Sequence, residues 1–158
     1  MTLIALLLAL TSTLSASDYS SIITKMYLQS TFEFQNGEKL KYAECKKRTF
    51  PTCTYVWGVP SKKDATKIKY GLAPKGKKLM VIYAKARTLK DFDRVLKTYK
   101  DAVDIKGVGV KAVWSAQRQQ LSLITKENLI VHVNVDGTKS DKPLLKAKIT
   151  AEHILNKL

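Results

Sequence analysis

The chain has 158 residues, 28 Lys and Arg against 13 Asp and Glu, and a formal charge of +15. Apolar residues make up 45 %, too many for a disordered polycation and enough for one domain with a buried core. Seven Gly and four Pro exclude collagen-like or low-complexity character, and two Cys with two His cannot close an all-Cys/His structural zinc site.

Residues 1–17 read as a signal peptide. Leu3–Leu10 is an unbroken apolar run, far short of the roughly 20 residues a spanning helix needs. Ser15-Ala16-Ser17 places small side chains where a signal peptidase reads them, so cleavage is expected after Ser17. No Lys or Arg precedes the run; a buried N-terminal strand or helix is the competing reading. No Cys lies near the cleavage site to carry a lipid, and no later segment has the length and apolarity of a span. The expectation is an exported domain over 18–158, periplasmic or secreted. Cys45 and Cys53 agree, because two Cys in an oxidising compartment usually pair. A redox pair or metal half-site is the alternative, but the spacing is not Cys-x-x-Cys and no His is near in sequence.

Asp18 or Ser17 can cap a first helix, whose buried stripe would be Tyr19, Ile22, Ile23, Met26 and Tyr27. Phe32–Gln35 and Lys39–Tyr42 alternate around Asn36-Gly37, the pattern of a tight hairpin. Thr52–Trp57 is rich in β-formers and closes at Gly58 and Pro60. Lys67–Leu72 alternates charge with apolar bulk and reads as a strand, and Leu79–Ala84 reads as a central strand covered on both sides. Thr88 with Asp91 forms a capping pair for a helix marked by Leu89, Phe92, Val95, Leu96, Tyr99 and Val103. Gly107 and Gly109 break the chain. Three strands follow as a meander, Lys111–Ala116, Gln120–Thr125 and Leu129–Val135, and Pro143 opens a last helix. The predicted class is α+β: a single domain, an antiparallel sheet with helices packed on one face, in the order α-ββ-β-ββ-α-βββ-α.

Two segments carry a resemblance. Cys53-Thr54-Tyr55-Val56-Trp57 is a Cys-x-Tyr-x-Trp strand, and Gly107–Trp114 is a Gly-x-Gly-x-x-Ala-x-Trp entry into a meander. With the final helix, residues 50–158 resemble a broad group of uncharacterised small exported bacterial α+β domains. Such members often carry an acidic residue after the second Gly, where this chain has Val110. The resemblance implies location and fold, and brings no catalytic residue.

The charge is concentrated. Residues 39–100 hold eighteen Lys and Arg against four carboxylates, a net +14. Period-two geometry sets Lys39 and Lys41 opposite Leu40 and Tyr42, and Lys67 and Lys69 opposite Ile68 and Tyr70. Lys75, Lys77 and Lys78 occupy the next turn. If these segments are neighbours, their ammonium groups form one anion-attracting face. A merely solvated strand face that blocks aggregation is the competing reading. Lys outnumbers Arg in this stretch and export removes most nucleic acids, so the expected partner is an acidic protein or an anionic envelope component.

Catalytic signals are sparse. No Gly-x-Ser-x-Gly elbow and no Gly-rich phosphate loop is present. His132 is out of phase with Leu129, Val131, Val133 and Val135, and His153 sits beside Glu152; neither has a partner in sequence spacing. The expectation is a non-enzymatic binding domain without cofactor or metal. Its rivals are an inhibitor or immunity-type protein, which an exposed Trp57 or Trp114 would favour, and a hydrolase using scattered carboxylates in a cleft with His132 or His153.

Overall fold

The computed structural model describes residues 19–136 and 142–158. The expected leader, the Ser17/Asp18 cap and the turn glycine Gly137 lie outside the described residues.

Seven antiparallel strands form one sheet: β1 (Lys39–Lys46), β2 (Thr52–Gly58), β3 (Lys77–Lys85), β4 (Ala102–Ile105), β5 (Lys111–Ser115), β6 (Gln120–Ile124) and β7 (Leu129–Asp136). Their order is β1-β2-β3-β7-β6-β5-β4. Four helices accompany them: α1 (Lys25–Thr31), α2 (Lys62–Lys69), α3 (Leu89–Leu96) and α4 (Pro143–Leu155). The single-domain antiparallel α+β class is the one the sequence predicts.

The chain builds β1 to β3 as a meander. It then crosses by α3 to the far edge and returns through β4 to β7, so that β7 closes on β3. Alternation places Leu79, Val81 and Tyr83 of β3 and Val131, Val133 and Val135 of β7 on one face, all fully buried. Tyr55, Trp57, Leu121 and Leu123 extend that layer, and Ala147, Ala151 and Ile154 of α4 cover it. Polar contacts fasten α1 to α4. The Tyr27 hydroxyl donates to Thr150 Oγ1 at 3.1 Å, and Lys146 Nζ donates to the Thr31 carbonyl at 2.6 Å. The opposite face has a smaller cover, where Phe92 of α3 packs on Ile124 and Ile130, so helices lie on both faces of the sheet and not on one as expected.

The structure departs from the predicted elements in four places. The first helix begins after an N-cap at Thr24, whose side chain accepts from the Tyr27 N–H, and Met26 is exposed. Tyr19, Ile22 and Ile23 reach the core from before that helix. Phe32–Gln35 is not a strand: Phe32 and Phe34 both pack on Trp57, with ring centroids 4.8 and 5.4 Å away. The hairpin partner of β1 is therefore β2, with Cys45 opposite Cys53 and bonded to it. Lys67–Leu72 is not a strand either. The Ser61 N–H donates to Asp64 Oδ2 at 2.8 Å, a capping arrangement that starts α2 five residues upstream of the predicted strand. Finally, α3 stops at Leu96, and Val103 belongs to edge strand β4, where it pairs with Trp114. There the backbone bonds of sheet pairing outweigh a weak continuation of the helical stripe.

Candidate functional site

The seven lysines of the expected basic face divide into two groups. Lys41 is the extra residue of a bulge in β1, between Leu40 and Tyr42. Its side chain turns inward, meets Asp64 Oδ2 at 3.0 Å and donates to the Lys75 carbonyl at 2.6 Å. Lys77 pairs with Glu38 at 2.9 Å and Lys78 with Asp136 at 3.0 Å. These three charges are answered inside the molecule. Lys39 and Lys75 are exposed, and Lys67 and Lys69 stand on α2, so the period-two argument for the latter pair does not hold.

The surface that gathers cations is α2 itself. The helix carries Lys62, Lys63, Lys67 and Lys69, and its single carboxylate, Asp64, faces the sheet. The Lys41 ammonium and the Ser61 N–H both hold that carboxyl below the usual range. No carboxylate of the described residues lies within 4 Å of any of those four ammonium groups. Apolar side chains accompany the lysines. Ile68 is 40 % exposed, Tyr70 72 %, Leu72 59 % and Val59, just before the helix, 66 %. Arg48 of the disulfide loop lines one groove of about 260 Å³ with Leu72 and Ala73, which brings a further cation beside this surface. Gly76 fixes the loop after α2 to the sheet: a Cβ there would lie 2.4 Å from the Trp57 carbonyl.

A second candidate lies on the sheet face away from α4. A groove of about 510 Å³ runs beside α3, floored by Ile82, Ala84 and Ile130, with Arg87 and Arg94 among its lining residues. His132 shares that floor, on the opposite side of β7 from the buried valines, as its phase predicts. Its Nδ1 is turned into a polar network, 2.8 Å from Ser122 Oγ and 3.2 Å from Gln120 Nε2. Gln120 Nε2 also donates to the Tyr99 hydroxyl at 2.6 Å, which lies 3.0 Å from Ser122 Oγ. Arg118 stacks over the Tyr99 ring at 4.5 Å. Burial, and secondarily Arg118, pulls the His132 pKa down to about 4, so the ring is neutral at pH 7.

One carboxylate, Asp91, lines this groove. It is committed to the start of α3, accepting from the Thr88 N–H at 3.1 Å and the Arg87 N–H at 3.0 Å, with Arg94 at 2.9 Å. His153 lies elsewhere, in a hollow with Met26 and Tyr27, where its Nε2 is 2.8 Å from the Ile22 carbonyl oxygen. Trp57 and Trp114 are buried. Among the described residues no group of His, Cys, Asp and Glu could hold a metal ion, and no helix is long and apolar enough to cross a membrane.

Sequence reasoning missed α2 and the groove. Ser61-x-x-Asp64 was the available signal for the helix. For the groove it was Leu79–Ala84, a strand apolar on both sides in a chain with few helices to cover two faces. No family model matches the chain, and no curated protein or solved structure matches it. The motifs behind the resemblance have structural work in this fold. Cys53, Tyr55 and Trp57 alternate onto the covered face, and Gly109 has φ +61° with the Ile124 carbonyl 2.7 Å from where a Cβ would stand.

Proposed function

We propose that the protein is an exported, non-enzymatic binding domain that docks on an anionic envelope surface through α2 and the loop that follows it. The observation that carries this reading is the composition of one surface. Lys62, Lys63, Lys67 and Lys69 have no ion-pairing carboxylate among the described residues, while Ile68, Tyr70 and Leu72 stand exposed between and beyond them. Ammonium groups alone would serve solubility. Interleaved with exposed apolar side chains, they suit an interface whose outer layer is anionic and whose next layer is apolar, as in a bilayer bearing acidic headgroups. Each lysine near such a surface contributes about 1 kcal/mol at physiological salt. Export is supported by the apolar run Leu3–Leu10 before Ser15-Ala16-Ser17 and by the Cys45–Cys53 disulfide.

Flotation of the disulfide-bonded protein with vesicles tests the docking. Binding is expected to vesicles holding a third phosphatidylglycerol and to be far weaker on pure phosphatidylcholine. Replacing Lys62, Lys63, Lys67 and Lys69 by Gln should lower the affinity on the order of a thousandfold. Tyr70→Ser with Leu72→Ser, which leaves the charge untouched, should also weaken it. Equal binding to both vesicle types would contradict the reading, as would retention by the four-Gln variant. Fractionation with N-terminal sequencing of the exported form tests the address, the expected first residue being Asp18.

A further inference from the structure

The groove beside α3 has a different chemistry from α2. Its floor is aliphatic, Ile82, Ala84 and Ile130, with Val95 of α3 and the half-exposed Phe50 also lining it. Its volume of about 510 Å³ falls within the usual range of small-molecule sites, about 300–1,000 Å³. Two guanidinium groups, one imidazole and the Lys85 ammonium, which donates to the Glu127 carbonyl at 2.9 Å, supply the polar part, against one carboxylate already engaged by two backbone N–H groups and Arg94.

The network behind His132 decides what the ring offers. Gln120 Nε2 donates to the Tyr99 hydroxyl and to Ser122 Oγ and lies 3.2 Å from Nδ1, so an amide N–H faces that ring nitrogen. With Nδ1 as the acceptor, Ser122 O–H donates to it across 2.8 Å and Tyr99 O–H donates to Ser122 Oγ across 3.0 Å. Nδ1 is then an acceptor, and the neutral ring carries its proton on Nε2. Nδ1 is committed to the interior, so Nε2 is the nitrogen left for the groove that the ring lines. An aliphatic trough ending in an N–H donor, with arginines at hand, is complementary to an apolar molecule bearing one acidic group.

We propose that this groove binds a small apolar carboxylate, its aliphatic body over Ile82, Ala84 and Ile130 and its carboxylate accepting from His132 Nε2–H near Arg87 and Arg94. The site is independent of docking by α2, and either can fail without the other.

Octanoate, octylammonium and 1-octanol are the probes, titrated into the full disulfide-bonded chain at pH 7 and followed by NMR at Ile82, Ala84, Ile130 and the His132 ring. Octanoate is expected to saturate and shift these resonances. Octanol should bind at least about five-fold more weakly and octylammonium more weakly still, since both lack the charge-assisted hydrogen bonds. His132→Phe should weaken octanoate about ten-fold. Ala84→Leu, which fills the floor, should abolish binding while the protein stays folded by circular dichroism. The variant with Gln at 62, 63, 67 and 69 should bind octanoate as the parent does. No saturation up to about 3 mM would overturn the proposal, as would shifts falling on α2 or equal affinity for octanoate and octanol.

Discussion

Two aromatic residues, the half-buried His132 and the buried Tyr83, show how differently a polar atom fares in this fold. The His132 ring is tied to Ser122 and Gln120, and desolvation, with Arg118 behind it, lowers its pKa from 6.5 to about 4. The unfolded chain takes up a proton near pH 6.5 that the folded chain takes up only near pH 4. Stability is therefore full above pH 6.5 and declines as pH falls towards 4, by about 3 kcal/mol over that window. Urea unfolding at pH 7, 5.5 and 4.5 should show this decline in the parent and a much flatter dependence in His132→Gln; equal slopes would refute it. Asp64, Asp91 and Asp101, held low by hydrogen bonds and the first two also by cations, lose their contribution only at lower pH. Tyr83 is the opposite case. Its hydroxyl is buried with no hydrogen-bond partner, and its ring stacks on Tyr19 at 3.9 Å. Tyr83→Phe keeps the stack and removes an unsatisfied oxygen, so thermal unfolding should show unchanged stability or a gain of about 1 kcal/mol. The phase of His132 was legible in the sequence because alternation is a local property. Its network was not, since Tyr99, Gln120 and Ser122 meet it only through the β6–β7 register and the loop before β4.

At the scale of elements, local signals succeeded where a strand or helix stands on its own pattern. The meander of β5, β6 and β7, the Thr88–Asp91 cap and the Pro143 start of α4 all follow from such patterns. They failed where two patterns compete over one short segment. Lys67–Leu72 alternates, yet the cap at Ser61 and Asp64 commits the preceding residues to helix, and Lys41 reaches across to hold that cap. Phe32–Gln35 alternates too, but Glu33 takes φ 48° and both phenylalanines turn to Trp57. The hairpin formed by β1 and β2 is closed by the disulfide across a directly opposed pair. In the chain-entropy picture a loop this short is worth about 2–3 kcal/mol. Cys45→Ser with Cys53→Ser should therefore lose about that much in chemical denaturation while keeping the fold, and reduction of the parent should match it. Loss of all secondary structure would show that the bond decides whether the domain folds at all.

For the molecule as a whole, the sequence located the charge excess correctly in residues 39–100 but not its geometry. Side-chain pairing in three dimensions sorts the lysines: Lys41 and Lys77 pair with shielded carboxylates and Lys78 with the exposed Asp136, whereas the four on α2 have no carboxylate partner among the described residues. No count along the chain reveals that division, because Glu38, Asp64 and Asp136 reach their lysines only after the sheet has formed. The same topology leaves the second sheet face half covered, with one short helix over Ile124 and Ile130 and an open groove beside it. Docking by a cationic surface has a signature that neither shape nor hydrophobicity shares, namely its dependence on ionic strength. The most direct measurement is the partition of the disulfide-bonded protein onto phosphatidylglycerol-containing vesicles between low and physiological salt. The affinity should fall by roughly ten-fold or more across that range, and by much less for the chain bearing Gln at 62, 63, 67 and 69. An affinity that stays level with salt, or that falls equally in both proteins, would contradict the assignment of α2 as the docking surface.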